Sequence, residues 1–359
     1  MGLFWFWWIA LSLQHYGYAW GLPLGMLLVS LAYGLIFWGI AALSSRLARY
    51  TSEPMQVPLK LLLLALALLG FSYFHPLHFD WHKPELMFLQ SYLGIEKWQF
   101  AIILFSIALS IWREKLYWLL LILLAYDPIE TIQIKKPQDI VLLSSTVSVQ
   151  DKWNIALQPA QFEKYFTAID KAIAQKKKLI ILPESSFPLF LNHTQALIDR
   201  LKEKAQQINI VTGGLYYDGK VPKNATYIFE GDKITVANKV LLVPFGESNP
   251  LPDFLSDWVN DVFYDGSIDY QASPNVVNYT LGGRRYRNAI CFEATSEKLY
   301  EGRPKEMIVI SNNGWFTPSI EPTLQKLLLL YYSKKYDTTI YHSINMSPSY
   351  VLSHGQEIK

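Results

Sequence analysis

The segment LIILPES, residues 179–185, indicates the fold of the larger part of this chain. Four large apolar residues in a row between polar neighbours are typical of a short strand buried inside a sheet. The proline that follows ends the strand and projects Glu184 from the end of the sheet. A carboxylate at a sheet end can act as a general base, although a single such residue is ordinarily just an exposed loop glutamate.

Segments typical of strands and of amphipathic helices alternate on both sides of this strand. Strands are predicted at 139–149, 208–215, 225–230, 233–237, 284–291, 307–311 and 338–345, and helices at 161–175, 193–207 and 321–334. Strands and helices interleaved in this way predict a layered α/β domain.

The first third of the chain is much more apolar than the rest. The whole chain is 51% hydrophobic and only 17% charged, which is a low charge content for a soluble protein. A helix needs about 20 residues to cross the hydrocarbon core of a bilayer, and one of the apolar runs reaches this length without its aromatic flanks. Runs in close succession, with almost no charge between them, predict an α-helical membrane bundle rather than buried helices of a soluble protein. The five runs are 3–13, 22–43, 59–74, 100–111 and 116–126.

Basic residues in the short loops predict the orientation of this bundle. Arg46, Arg49 and Lys60 follow the second run, and Arg113 and Lys115 follow the fourth. By the positive-inside rule both loops are cytoplasmic. The N-terminus is therefore expected inside, and everything after the fifth run outside, which is the periplasmic side in a bacterium.

Composition also indicates where the domains begin and end and which ligands are not expected. We predict a transmembrane region at 1–127 and a catalytic domain at 128–359. The net charge of +2 is small and unclustered, which argues against a nucleic-acid partner. The histidines between residues 75 and 82 lie among aromatic residues and a proline, so an interfacial loop is favoured over a metal site. We predict no metal and no cofactor.

Two further segments carry a reactive side chain where a strand ends. Lys239 interrupts the apolar stretch 236–247, where a cation is costly unless it is paired or used. Cys291 is the single cysteine, and it follows a predicted strand and precedes a predicted helix near 295–300. A thiol at a helix N-terminus beside a cation has a lowered pKa. Taken alone, the lysine is more often salt-bridged and the cysteine more often a small buried hydrophobe.

Together, Glu184, Lys239 and Cys291 form a complete catalytic set for acyl transfer, with a base, an oxyanion-stabilising cation and a nucleophile. Their order and the motifs around them resemble the nitrilase, or carbon–nitrogen hydrolase, superfamily, from about residue 139 to residue 351. This resemblance implies a nitrilase-like four-layer α-β-β-α sandwich.

The preceding membrane region narrows the resemblance to the bacterial apolipoprotein N-acyltransferase family. VPFGE at 243–247 is similar to a motif of that family, which implies that Glu247 is a second essential glutamate. CFE at 291–293 matches its cysteine–aromatic–glutamate triplet and implies a supporting role for Glu293. Further motifs of the family imply a set of substrate-binding residues: Trp153, Asn224, Trp315 and Phe316.

The chain departs from the family pattern in three places. Asn313 stands where the family has an acidic residue, and YSKKYD at 332–337 replaces an arginine-rich stretch. The family also has more membrane spans, one of them after the nitrilase domain. We therefore expect a chain that is shortened at both ends.

The resemblance implies an apolipoprotein N-acyltransferase. Such an enzyme moves an acyl chain from a phospholipid, through a thioester on Cys291, to the N-terminal amine of a diacylglyceryl-cysteine lipoprotein. The expected partners are the phospholipid donor, the diacylated lipoprotein acceptor and the lipid bilayer, with the enzyme a monomer in the bacterial inner membrane. The alternatives are a membrane-tethered carbon–nitrogen hydrolase (amidase) and a catalytically impaired homologue that acts as a binding protein.

An amphipathic segment lies between the lysine and the cysteine. In residues 252–264 apolar side chains recur at helical spacing, and acidic ones fall on the opposite side. This pattern predicts either a helix packed on the domain core or a lid that dips into the bilayer near the site.

Overall fold

The computed structural model describes residues 2–15, 17–74, 79–128, 137–244, 247 and 270–358. The chain forms two compact units: Met1–Leu11 with Trp20–Gln133, and Ser12–Ala19 with Ile134–Lys359. The predicted domain boundary between residues 127 and 128 stays a prediction. The amphipathic segment at 252–264 lies outside the described residues.

Apolar helices make up the first unit. Two of them, Ala19–Ala48 and Glu53–Tyr73, are long and apolar enough to cross a membrane by length and composition. The longest α-helix has 27 residues, or roughly 40 Å at the usual rise, against a hydrocarbon core of about 30 Å. The α-helices in the first third of the chain are α1 (Gly2–Phe6), α2 (Ser12–His15), α3 (Leu22–Ala48), α4 (Glu53–Gly70) and α5 (Lys97–Arg113).

Helix α3 turns large apolar side chains outward. Leu28, Leu35 and Trp38 are each more than half exposed to solvent within the chain. Soluble monomers rarely display a continuous apolar surface of this kind, because water contact with it is unfavourable. These side chains are suited to contact with lipid tails.

Two of the predicted spans are not single α-helices. The first apolar run breaks into α1, a 3₁₀ helix at Trp7–Leu11 and α2, and the last is a ten-residue 3₁₀ helix at Leu116–Ala125. Pattern alone does not separate α from 3₁₀ geometry in a run of Leu and Trp. The number of five membrane spans therefore stays a prediction.

The second unit contains two six-stranded sheets. The first has the order β1-β2-β4-β5-β6, with β3 paired to β4, and the second has the order β12-β11-β10-β9-β8-β7. The strands of the first sheet are β1 (Ile140–Leu142), β2 (Leu179–Ile181), β3 (Phe187–Phe190), β4 (Asn209–Tyr217), β5 (Pro222–Glu230) and β6 (Lys233–Asn238). Those of the second are β7 (Asn278–Leu281), β8 (Arg284–Ile290), β9 (Glu306–Asn312), β10 (Thr339–Asn345), β11 (Tyr350–Ser353) and β12 (Gln356–Ile358).

Helices cover the outer face of each sheet, and the inner faces pack together. One apolar core joins the two sheets, with Ile181 and Val211 from the first and Ile290 and Ile310 from the second. A second core packs two helices on the first sheet, and the last helix packs on the second sheet. The predicted four-layer α-β-β-α sandwich is confirmed. Its helices are α6 (Val149–Trp153), α7 (Gln158–Ala174), α8 (Gln195–Ala205) and α9 (Glu321–Tyr336).

The sequence pattern located most elements but not their ends. The strand predicted at 139–149 stops at Leu142, and helix α6 begins at Val149 because the Ser148 hydroxyl accepts a hydrogen bond from the Asp151 N–H. Strands β3, β7, β11 and β12 were not predicted. Each has only three or four residues, too few to show an alternation of apolar and polar side chains. They form strands because they pair with neighbouring strands of the sheet.

Phe187 tests the outer core of the first sheet. It is fully buried and contacts the rings of Phe162, Tyr165 and Phe166 from helix α7. Phe187→Ala is expected to lower the free energy of unfolding by about 3–5 kcal/mol, because it leaves a cavity. Phe190→Ala, on the same strand but 37% exposed, is the control and should cost no more than about 2 kcal/mol. Denaturant unfolding of the full chain in detergent measures both, and equal losses would contradict this account of the core.

Candidate active site

Glu184 lies just beyond strand β2, where two close contacts hold its backbone. It is 6% exposed, and the following residue, Ser185, has a left-handed backbone with φ of 50°. Gly213 on strand β4 makes room for this turn, because a Cβ there would stand 2.5 Å from the Ser185 nitrogen and 2.8 Å from the Glu184 Cα. Lys152 on helix α6 donates a hydrogen bond of 3.0 Å to the Glu184 carbonyl oxygen.

Lys239 directly follows strand β6 and is a buried cation. Its Nζ lies 2.7 Å from Oε2 of Glu247, and its side chain is 1% exposed. Burial lowers the pKa of Lys239, but the negative charges of Glu247 and Glu184 and the nearby Cys291 outweigh burial, and the net pKa is raised. The ammonium group is therefore charged at any physiological pH.

Asn224 on strand β5 connects the two glutamates. Its Nδ2 donates to Oε1 of Glu184 at 2.7 Å and to Oε1 of Glu247 at 3.1 Å. The backbone carbonyl oxygen of Asn224 also accepts a hydrogen bond of 2.9 Å from the backbone N–H of Lys239. This residue, predicted to bind substrate, is placed by the structure where it orients the acidic and basic side chains.

Cys291 stands at the end of strand β8, on a sharp turn. Its φ is 53°, and it is the first residue of a 3₁₀ helix, Cys291–Thr295. A second 3₁₀ helix, Glu297–Tyr300, lies where a helix was predicted near 295–300. A left-handed backbone is uncommon outside glycine and holds local strain, as often found at functional sites. The turn brings the sulfur of Cys291 within electrostatic range of Glu184 and Lys239.

The lowered thiol pKa expected from the sequence is wrong for the resting structure. Burial and the negative charge of Glu184 raise the pKa of Cys291. Lys239 and a hydrogen bond from the Asn312 backbone lower it, but by less. A one-turn 3₁₀ helix also lacks the long stack of peptides that builds a strong dipole. The thiol is therefore protonated at rest and needs a base to become a nucleophile.

Glu184 can supply that base. Burial raises the pKa of this carboxyl, an effect opposed by the charge of Lys239 and reinforced by that of Glu247. A raised pKa brings a carboxylate closer to the range in which it accepts a proton efficiently near neutral pH.

Glu293 links the segment after Lys239 to the strand before Cys291. Its carboxylate accepts the N–H of Ile290 at 2.7 Å through Oε1, and the N–H groups of Val240 and Leu241 at 2.7 and 3.2 Å through Oε2. Burial raises the pKa of Glu293 to about 7, with these backbone donors opposing the shift. The contacts suit a residue that positions the lysine and the cysteine.

The structure brings the predicted acidic, basic and thiol residues together with Asn224, but the three aromatic residues lie on adjoining segments. Trp153 ends helix α6, 38% exposed, one residue after the buried Lys152. Trp315 and Phe316 lie in the short 3₁₀ helix Asn313–Phe316, and the Trp315 carbonyl is 3.1 Å from a ring nitrogen of His15. Their predicted role in substrate binding stays a prediction.

Sequence reasoning assigned no role to three residues next to this cluster. Lys152 directly precedes the predicted Trp153, yet it is the lysine that is buried, at 1% exposed, and burial lowers its pKa to about 8, which Glu184 partly offsets. Glu321 and Gln325 on helix α9 are also buried, and Nε2 of Gln325 lies 3.9 Å from Sγ of Cys291. Glu321 and Gln325 are four residues apart and share a helix face with the apolar Leu328. This spacing is the sequence signal that could have predicted their burial.

A four-layer sandwich with a cysteine at a strand end is the arrangement expected of the nitrilase, or carbon–nitrogen hydrolase, class. A CN-hydrolase superfamily protein from Xanthomonas campestris superimposes with a TM-score of 0.45 at 15% identity, covering 61% of this chain and 83% of that one. An amidase of the nitrilase superfamily from Nesterenkonia gives a TM-score of 0.45 at 14% identity, covering 61% and 85%.

Sequence relatives extend along nearly the whole chain. An apolipoprotein N-acyltransferase from Wolinella succinogenes is 38% identical over 359 residues, which cover 98% of this chain and 83% of that protein. One from Helicobacter pylori is 32% identical over 361 residues, covering 98% and 81%. The model of the apolipoprotein N-acyltransferase integral membrane domain matches residues 1–128. The chain belongs to the apolipoprotein N-acyltransferase family, and the resemblance inferred from its motifs is confirmed.

Thiol labelling tests the electrostatics of the site. The chain has one cysteine, so a maleimide reports on Cys291 alone, and its rate should rise with pH as thiolate forms. Lys239→Met removes the cation that lowers the Cys291 pKa, and labelling at neutral pH should slow by about tenfold or more. Lys326→Met, which removes a partly exposed lysine paired with Glu357, is the control. Equal rates in both variants would sink the assignment.

Proposed function

We propose that this chain transfers an acyl chain from a membrane phospholipid to the N-terminal amine of a diacylated lipoprotein, through a thioester on Cys291. The observation that carries the proposal is the group formed at the strand ends of the sandwich by the buried Glu184 and Lys239 and the partly buried Cys291. Family membership over 98% of the chain supports the choice of substrates.

The first half-reaction forms the thioester. Glu184 takes the proton of the Cys291 thiol, and the sulfur attacks the ester carbonyl of the phospholipid. Lys239 and backbone N–H groups stabilise the oxyanion, because a fixed cation in a site shielded from water interacts strongly with developing charge. The carbon–oxygen bond then breaks, and the lyso-phospholipid leaves with the proton from Glu184.

The second half-reaction uses the same groups in reverse. The free amine of the acceptor attacks the thioester carbonyl, and the carbon–sulfur bond breaks. Glu184 moves the amine proton to the sulfur, which regenerates the thiol. The product is an amide.

The membrane unit supports a lipid donor. An integral membrane domain anchors the enzyme in the bilayer where phospholipids are available. We place it in the bacterial inner membrane with the catalytic unit on the periplasmic side, because the two basic loops are then cytoplasmic. We propose that it acts as a monomer.

The two alternatives are less well supported. An amidase would pass the acyl group to water, but the relatives that span this chain are N-acyltransferases. A binding protein would have no need of a buried cation and two buried glutamates, since unused buried charges destabilise a fold and tend to be lost.

Mass spectrometry tests the thioester. The purified chain incubated with phosphatidylethanolamine should gain one acyl mass on Cys291, and the adduct should disappear on treatment with neutral hydroxylamine. Cys291→Ala should gain none, because the nucleophile is gone. An adduct of equal yield in Cys291→Ala, or none in the wild type, would show the proposal to be wrong.

Acceptor dependence and the base are tested by turnover. Amide product should require a diacylated lipopeptide with a free amine, with little fatty acid released in its absence. Glu184→Gln should lower the rate by about 10²–10⁴-fold, the usual contribution of a general base. Glu163→Gln, at an exposed glutamate paired with Arg200, should stay near the wild-type rate. Fatty acid release that ignores the lipopeptide would favour the amidase instead.

A further inference from the structure

Helix α9 presents two buried polar side chains beside the nucleophile. Glu321 is its first residue, Gln325 follows four residues later on the same face, and both are no more than 2% exposed. Nε2 of Gln325 lies 3.9 Å from Sγ of Cys291. Glu321 interacts electrostatically with Cys291 and with Glu184. The pair thus reaches the site from the helix on the second sheet, whereas Glu184 and Lys239 follow strands of the first.

Each of the two side chains has an oxygen that finds no partner within the described part of the chain. Oε2 of Glu321 and Oε1 of Gln325 are buried and form no hydrogen bond with the residues described. A buried acceptor left unsatisfied costs roughly 1–3 kcal/mol, so such groups are rare unless a ligand or water completes them. Two open acceptors next to one sulfur call for a ligand that brings N–H or O–H donors.

The two substrates differ in the hydrogen-bonding groups that they can offer to Glu321 and Gln325. Next to the carbonyl that Cys291 attacks, the phospholipid brings ester and phosphate oxygens, which are acceptors. The amine of an ethanolamine headgroup lies beyond the phosphate, several bonds away from that carbonyl. An amine brings N–H donors and a lone pair. Burial, with Glu184 adding to it, raises the pKa of Glu321 to about 8. The carboxylate form, which only accepts hydrogen bonds, therefore forms in the same pH range as the neutral form of an α-amino group.

Resting on the function proposed above, we propose that Glu321 and Gln325 form the binding site for the amino group of the acyl acceptor. The neutral amine donates one N–H to Oε2 of Glu321 and the other to Oε1 of Gln325. Both donors are then used, and the nitrogen lone pair is left to face the thioester on Cys291. On attack the carbon–nitrogen bond forms, the carbon–sulfur bond breaks, and Glu184 carries one amine proton to the sulfur.

The test separates acceptor binding from thioester formation. Enzyme acylated with phosphatidylethanolamine, and freed of excess lipid, is mixed with increasing diacylated lipopeptide, and transfer is followed in a single turnover. In Glu321→Met, which keeps side-chain length but removes the acceptor oxygens, thioester formation should stay within about twofold of wild type. The lipopeptide concentration for half-maximal transfer should rise by about tenfold, as for one lost hydrogen bond. Glu321→Gln keeps an oxygen at that place and should restore most of the affinity.

Three controls make the result specific. Lys326→Met changes a partly exposed residue of the same helix, paired with Glu357, and should behave as wild type. Gln325→Met should weaken the acceptor by a similar factor. It should also slow acylation, since it removes the Nε2 donor near Sγ. An N-acetylated lipopeptide, which lacks the amine, should compete equally well against wild type and Glu321→Met.

Several results would overturn this inference while leaving the proposed function in place. Wild-type acceptor dependence in Glu321→Met is one. Equal loss of acylation and transfer in Glu321→Met is another, since it would mean that Glu321 only supports the nucleophile. If Glu321→Met does not fold, a Glu321→Gln variant with acceptor affinity as weak as that of Gln325→Met would overturn it in the same way. A wild-type enzyme that forms no thioester would instead overturn the proposed function, and this inference with it.

Discussion

The ion pair between Lys239 and Glu247, 2.7 Å long and almost closed to solvent, is the interaction on which the rest of the site depends. Removing an ammonium group from water is expensive unless its charge is balanced and its surroundings are rigid. Glu247 balances that charge through direct contact, and Glu184 supplies a second negative charge nearby. Asn224 holds the two glutamates in fixed positions. A substrate oxyanion that enters this site meets a cation that the fold has already desolvated and oriented.

Rigidity comes from backbone contacts rather than from further charges. Glu293 gathers N–H groups from both sides of the site, so the segment after Lys239 and the strand before Cys291 move as one. Gly213 lets the turn at Glu184 lie against strand β4, where any side chain would collide. A hydrogen bond from the Ser343 hydroxyl on the second sheet to the Ile181 carbonyl on the first, 2.9 Å long, ties the sheets together just before Glu184.

The resting thiol shows how burial changes the chemistry expected from neighbouring residues. A cation beside a cysteine suggests a stable thiolate, yet in this structure burial and Glu184 keep the proton on the sulfur. A neutral thiol loses its proton only when Glu184 takes it, so nucleophile formation is coupled to the base. Such coupling limits side reactions of the only cysteine while no acyl donor is bound.

What the sequence determined by itself is the kind of structure and the identity of the reactive groups. Apolar runs in close succession with almost no charge between them predict a membrane region, and alternating strands and helices predict layers. Glu184, Lys239 and Cys291 stand out because each interrupts or ends an apolar strand. Only the tertiary structure decided the rest, because burial and distance are properties of segments far apart in the chain. The raised thiol pKa, the bridging by Asn224, the three donors on Glu293 and the open oxygens of Glu321 and Gln325 arise from contacts between both sheets and their helices. No local pattern around any one of these residues contains that information.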